Sequence, residues 1–309
     1  MKVIVTGGDG QLATCLKKYT NKNSKSEYIF MSKNELDITD LDKIEYMFEK
    51  YNPDLIINCA AYTNVDKAPN EIEKAYLINE TGPLNLTLCA RHYDAKIIHI
   101  STDFVFDGEK NTPYKETDKT NPLSVYGASK LAGEKAILSF NNAMVIRTSW
   151  LYSEYCHNFF KTMITRIMND DKTYVVNDQI GTPTYAMDLA KFLYEFIENN
   201  LANFENQIFH FSNEGCCSWY DFAKAIEIYT KNYVKDLKLS ENIINPISTL
   251  DYYNLVGKML ELRPSYSVLS KNEIKKIDKV AIRHWLSALY NCIDRYMLLT
   301  AYDEIEENK

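Results

Sequence analysis

The stretch Ser124 to Lys130, SVYGASK, sets a phenol and an ammonium four residues apart among small side chains. Positions i and i+4 share one helical face, so Tyr126 and Lys130 are expected to point the same way. A free phenol titrates near pH 10, too high for ready proton exchange near neutrality (about 10). A neighbouring ammonium favours the phenolate and lowers that value, which suits a general acid. Gly127, Ala128 and Ser129 would leave room beside the phenol for a cofactor and a substrate. By itself Y-x-x-x-K occurs on many ordinary helices.

Two upstream features give the pair its weight. The apolar run Lys96 to Ser101 leads into HISTDFVFDG, and ligands of open α/β sheets bind at the carboxyl ends of strands. Ser101 and Thr102 there offer hydroxyls that could hold a substrate oxygen. At the other end of the chain, TGGDGQLA follows the first apolar run. Gly7, Gly10 and Ala13 fit the glycine-rich turn that opens a helix in dinucleotide-binding folds, with the exposed N–H groups of Gly10, Gln11 and Leu12 available to a pyrophosphate. The acidic residue expected after the second strand to grip a ribose 2′-hydroxyl is missing from FMSKNELDITD. Ser32 and Lys33 stand there instead, and a cation at that point favours the 2′-phosphate of NADPH, with NADH left open.

These residues need a parallel sheet to carry them. Lys2–Gly7, Tyr28–Met31, Leu55–Ala60, Lys96–Ser101 and Ala143–Ser149 read as buried strands. Helical segments are expected near Gln11–Thr20, Leu41–Tyr51, Glu71–Tyr93 and Tyr126–Phe140. Strand alternating with helix is the signature of a doubly wound α/β sheet of Rossmann type. Beyond about Trp150 the alternation fades, so the division expected is a dinucleotide-binding domain over 1–149 and a smaller, mainly substrate-binding part over 150–309. KTYVVN (172–177) and Met187 to Glu198 are expected to return to the first sheet, and the terminal YDEIEENK to fray.

Composition narrows the function classes. With 309 residues, 46% hydrophobic and 25% charged, the chain can bury a core, and it contains no apolar run long enough to span a bilayer. A net charge of −7 without a basic block argues against nucleic acid as a partner. The start shows no signal-peptide layout, so a cytoplasmic location is expected. Seven scattered cysteines form no CxxC pair and are expected to be buried free thiols. Five histidines lack ligand spacing, so no catalytic metal is expected; Asp188 and Glu195 read as a solvated helix face.

Taken together, GGDGQLA, LDITD, INCAAYTNVDKA, STDFVFDG, YGASKLAGE, RTSWLY, NDQIGTPT, CSWYDFA and RPSYSVLS resemble the dTDP-4-dehydrorhamnose reductases, a group within the extended short-chain dehydrogenase/reductases. The likeness runs over nearly the whole chain. It implies that Tyr126 is the general acid, that Lys130 tunes it and binds the nicotinamide ribose, and that Thr102 bonds the reacting carbonyl. It further implies that Gly10, Gln11 and Leu12 bind pyrophosphate, that Asp37 and Ile38 border the adenine, that Ala61, Tyr62 and Thr63 line the cofactor cleft, and that Asp103 and Trp150 touch the substrate. The implied reaction is NADPH-dependent reduction of a 4-keto nucleotide sugar, in an enzyme compatible with a homodimer; some relatives place a divalent ion at a subunit contact. Phe104 departs from the family, which usually has tyrosine there. The related 4,6-dehydratases carry an Asp-Glu pair after the threonine, where this chain has Asp103 and Phe104, so reduction without loss of water is favoured. Two other readings belong to the same resemblance: a non-catalytic NADP-binding subunit like the regulatory subunit of methionine adenosyltransferase, and an epimerase or dehydratase with bound NAD.

Overall fold

The structure, a computed structural model, describes residues 1–20, 24–201, 204, 206–234, 238–257, 261–277 and 281–307, with side chains as far as residue 301. In chain order the elements are β1 (Lys2–Thr6), α1 (Gln11–Tyr19), β2 (Glu27–Met31), α2 (Leu41–Tyr51), β3 (Leu55–Asn58), α3 (Ile72–Tyr76), α4 (Gly82–His92), β4 (Lys96–Thr102), α5 (Val125–Leu138) and β5 (Ala143–Thr148). The second half adds β6 (Leu151–Tyr152), α6 (Phe159–Met168), β7 (Thr173–Val176), β8 (Ile180–Gly181), β9 (Thr184–Tyr185), α7 (Ala186–Asn199), β10 (Gln207–His210), β11 (Cys217–Ser218), α8 (Trp219–Tyr233), β12 (Ile244–Ile247), α9 (Thr249–Val256) and α10 (Trp285–Glu307).

Six strands form one parallel sheet in the order β10-β5-β4-β3-β1-β2. Its inner strands are apolar runs rather than alternating ones because helices cover both faces. Val3, Val5, Ile57 and Ile146 pack on the side of α1, α6, α7, α8 and α10, while Ile4, Ile56, Ile97 and Val145 pack on the side of α2, α4 and α5. The strand order reverses between β1 and β3, the place where doubly wound sheets open a crevice for ligands.

Helix ends follow local chemistry. Asp40 caps α2 by accepting from the Lys43 N–H, and Asn52 closes it in the left-handed region (φ 44°). Ser124 caps α5 through the Gly127 N–H. The long helix expected over 71–93 is not continuous: a π turn, Leu77–Thr81, separates α3 from α4. Pro83 explains the break. It has no N–H to give to the Asn79 carbonyl, and that carbonyl lies 2.0 Å from where a Cβ on Gly133 would stand.

The second half departs from expectation in several places. KTYVVN does not rejoin the sheet; β7 pairs with β12 in a separate two-stranded ribbon, and the edge beside β5 is taken by β10. The run from Met187 does return, as α7 packed on α1. The helix α10 is assigned through Glu307, so part of the terminal YDEIEENK belongs to it, and residues 308 and 309 lie outside the described residues. Asp188 is no solvated face, since Arg283 donates to it twice, at 2.8 and 2.7 Å, and Asn213 once, at 2.7 Å. Glu195 pairs with Lys191 at 3.7 Å in the open. Of the cysteines, Cys156 and Cys216 are exposed and Cys59 partly so; the other four are buried. Among the described residues no helix is long and apolar enough to cross a membrane.

Candidate active site

The carboxyl ends of β1, β3, β4 and β5 open into one cleft of ≈ 1030 Å³. The turn after β1 forms its floor. Gly7 turns with φ +63°, and a Cβ there would stand 2.9 Å from the Ala60 amide nitrogen, so only glycine fits. The Gly10 N–H, expected to be open to a pyrophosphate, donates instead to the Gly7 carbonyl at 2.8 Å and tightens the turn. The donors facing the cleft are those of Gln11 and Leu12, whose first-turn N–H groups have no carbonyl four residues back within α1. Gln11 also ties the turn to the chain after β5: its side chain donates to the Leu151 carbonyl at 3.1 Å and accepts from Asn158 at 2.7 Å.

Thr102, Asp103, Tyr126 and Lys130 come together on the cleft wall. Thr102 Oγ1 donates to Asp103 Oδ1 at 3.1 Å and accepts the Phe104 N–H at 3.2 Å. Burial pushes the Asp103 carboxyl up to about 6, against hydrogen bonds from Ser267 and Thr102. The Phe104 ring meets the Tyr126 ring edge-on at 5.4 Å, so an apolar ring packs on the phenol.

The electrostatics differ from the sequence expectation. Burial pushes the Tyr126 phenol up to about 12, opposed by a hydrogen bond with Thr102 and reinforced by Asp103. Lys130 shares its helix face but spends its ammonium on the Ile100 carbonyl, 2.7 Å away, with His99 Nε2 at 3.4 Å. Its own affinity for protons falls to about 8 through burial, against the pull of Glu134 and Cys59. The small residues after Tyr126 also serve packing: a Cβ on Gly127 would lie 2.2 Å from the Phe104 carbonyl, and Ser129 accepts from Asn79. Ser101, expected to face a ligand, donates at 2.5 Å to Glu134, which is held in turn by a two-pronged bond from Arg147.

Ala61, Thr63 and Trp150 line the cleft; Gly7, Ser32, Lys33, Asp37, Ile38 and Tyr62 lie outside it. Tyr62 turns to the other side, its N–H held by Asn79 at 2.9 Å and its ring packed with Ala68 and Ala75. Ile38 is buried against Gly82, and Asp37 accepts from Thr39 while pairing with Lys33 at 3.7 Å. Ser32 gives both its N–H and its hydroxyl to Glu35, at 2.8 and 2.7 Å. Glu35 thus returns a carboxylate to the strand end where the sequence reading found none. Trp150 (φ 47°) stacks on Trp219 at 3.7 Å. Trp219, Arg166, Arg263 and Asp66 also line the cleft; spacing gave no signal for them, because folding alone gathers them.

The chain matches the model of the RmlD substrate binding domain over residues 1–298. It is 38% identical over 293 residues to a dTDP-4-dehydrorhamnose reductase of Aggregatibacter actinomycetemcomitans, covering 94% of this chain and 97% of that protein. Among solved structures it is similar to a dTDP-4-dehydrorhamnose reductase from Clostridium acetobutylicum (TM-score 0.86, 36% identity, 96% of this chain and 100% of that one). A second, from Bacillus anthracis in complex with NADP, gives a TM-score of 0.85 at 34% identity over 95% of this chain and 99% of that one. The chain belongs to the RmlD substrate binding domain family, within the extended short-chain dehydrogenase/reductases.

Proposed function

We propose, on the premise of that membership, that the chain reduces the C4 ketone of dTDP-4-dehydro-L-rhamnose with NADPH to give dTDP-L-rhamnose. The observation that carries this reading is the meeting of Thr102, Tyr126 and Lys130 at the mouth of a parallel sheet, beside an open glycine turn. The names of the relatives point the same way. The residues present fit a nicotinamide nucleotide: Gln11 and Leu12 offer N–H groups to a pyrophosphate, and Ala61 and Thr63 form a wall. Beyond the cleft, Lys33 stands exposed after β2, and Ser32 would need release from Glu35 to take part. When bound, that nucleotide supplies the hydride.

The chain's own residues would do the rest. Thr102 steadies the carbonyl oxygen, and Tyr126 donates its phenolic proton to that oxygen as it gains charge. A phenol held at about 12 stays protonated until then. Lys130 holds a ribose and returns a proton to the phenolate. Asp103 and Trp150 position the sugar. In this reading residues 1–149 carry the dinucleotide, and the segments after Trp150 wall the sugar side. Asp103 followed by Phe104 supplies one carboxylate, too few for the acid and base of a dehydration.

The test follows NADPH absorbance with a panel of 4-keto nucleotide sugars. The expected result is turnover of dTDP-4-dehydro-L-rhamnose. Tyr126→Phe should cost about 10² to 10⁴ in kcat with NADPH affinity kept; near-full turnover in that variant would remove the assigned role.

A further inference from the structure

Beneath the cleft floor, four buried side chains run in a line from β1 to α5. Thr6 Oγ1 donates to Asn58 Oδ1 at 2.7 Å. Asn58 Nδ2 meets His99 Nδ1 at 3.0 Å, and His99 Nε2 lies 3.4 Å from Lys130 Nζ. All four are buried, and Lys130 alone of them also borders the cleft.

The direction of each bond can be assigned. The Ala60 N–H, 3.2 Å from Asn58 Oδ1, can only donate, so the amide oxygen of Asn58 faces Thr6 and Ala60 and its nitrogen faces His99. His99 Nδ1 is therefore an acceptor, and a neutral imidazole carries its proton on Nε2, aimed at Lys130. An ammonium has only donors to set against that N–H. A neutral amine accepts from it with its lone pair while still donating to the Ile100 carbonyl, 2.7 Å away.

We propose that His99, held in the Nε2–H tautomer by Asn58, is the positioning residue for Lys130 and biases its ammonium toward giving up a proton. The idea deepens the reductase reading and rests on it for its kinetic consequence. After Tyr126 gives its proton to substrate, an O–H bond must form again at the phenolate. The Lys130 ammonium supplies that proton by breaking an N–H bond, and the amine recovers one from solvent. An ammonium facing another donor does this more readily than an ordinary lysine. The groups facing Lys130 are Cys59 after β3, His99 and the Ile100 carbonyl on β4, and Glu134 on α5, with Tyr126 one helical turn earlier on α5. Burial, and then Lys130, hold His99 well below the usual imidazole range, in keeping with a neutral ring.

The test uses the full chain and two readouts. Long-range ¹H–¹⁵N correlation of the five histidines, with His99 identified by its loss in His99→Gln, should show His99 near neutrality with a bare Nδ1 and a protonated Nε2. Asn58→Asp keeps the shape of the amide and can still accept from Thr6 and Ala60. Its carboxylate should draw the imidazole proton to Nδ1 and turn Nε2 into an acceptor for the ammonium. The alkaline limb of kcat/KM should then move upward by about one pH unit or more. Because the new carboxylate adds charge of its own, His99→Gln, which removes the Nε2–H without adding charge, should move the limb in the same direction, a shift that a merely structural role would not produce. The proposal is overturned by a wild-type His99 protonated on Nδ1 or on both nitrogens, or by a variant that switches tautomer and leaves the limb in place. The tautomer is read without turnover, so an enzyme inactive on the chosen sugar fails the reductase reading alone.

Discussion

Asp103 is a carboxylate kept from water, with a proton affinity raised from 3.8 to about 6. A raised native value means that its stabilising contribution is complete below about pH 3.8 and is lost as pH climbs through about 6. At pH 7.5 the native state bears the charge at a cost. Asp103→Asn should therefore be more stable than the natural chain at that pH by roughly 1 to 3 kcal/mol, and the difference should vanish near pH 4 while activity falls. Urea midpoints at the two pH values check it, and an advantage that grows toward acid would contradict the assignment. Glu35 raises a question of coenzyme choice. It occupies both donors of Ser32, which a 2′-phosphate at the end of β2 would need. Glu35→Gln should raise the ratio of kcat/KM for NADPH over NADH, and Lys33→Ala should lower it. If both leave the ratio alone, selection lies elsewhere.

At the scale of elements, α5 is the part on which the site depends, since it carries Tyr126 and Lys130 and must lie close to β4. Its approach to the helix pair α3 and α4 is set by the π turn, where the Asn79 carbonyl, freed by Pro83, fills the space that a side chain at Gly133 would take. Alanine in place of glycine in a helix gains about 1 kcal/mol from propensity alone. A backbone oxygen 2.0 Å from the new methyl group cannot give way as a flexible side chain would. Overpacking of this kind costs about 1 to 3 kcal/mol, so we expect Gly133→Ala to be destabilised on balance, with a lower urea midpoint and an unchanged slope. A stabilised variant would show that the helices can separate without loss.

Across the whole molecule, the cleft is closed by residues far apart in the chain. Arg263 donates twice to Asp66, at 2.9 Å each, joining the loop after β3 to the region before α10. Both residues line the cleft and are partly exposed. An ion pair so open to solvent adds at most about 1 kcal/mol to stability, so its effect should fall on the width of the cleft. Arg263→Gln is expected to melt close to the natural chain and to raise KM for the nucleotide sugar while leaving KM for NADPH unchanged. A large fall in melting temperature would make the pair a structural tie instead.

The order of residues by itself determined the doubly wound sheet, the glycine turn and the helix that carries both Tyr126 and Lys130, because strand runs, turns and i+4 neighbours are local patterns that chain geometry fixes within a few residues. It did not determine where Lys130 spends its charge, that Ser101 is committed to Glu134, or that KTYVVN pairs with β12. Those outcomes depend on partners far away in sequence and on the loss of water around them. Tertiary structure alone decides which donor meets which acceptor, and burial decides how tightly each group holds its proton.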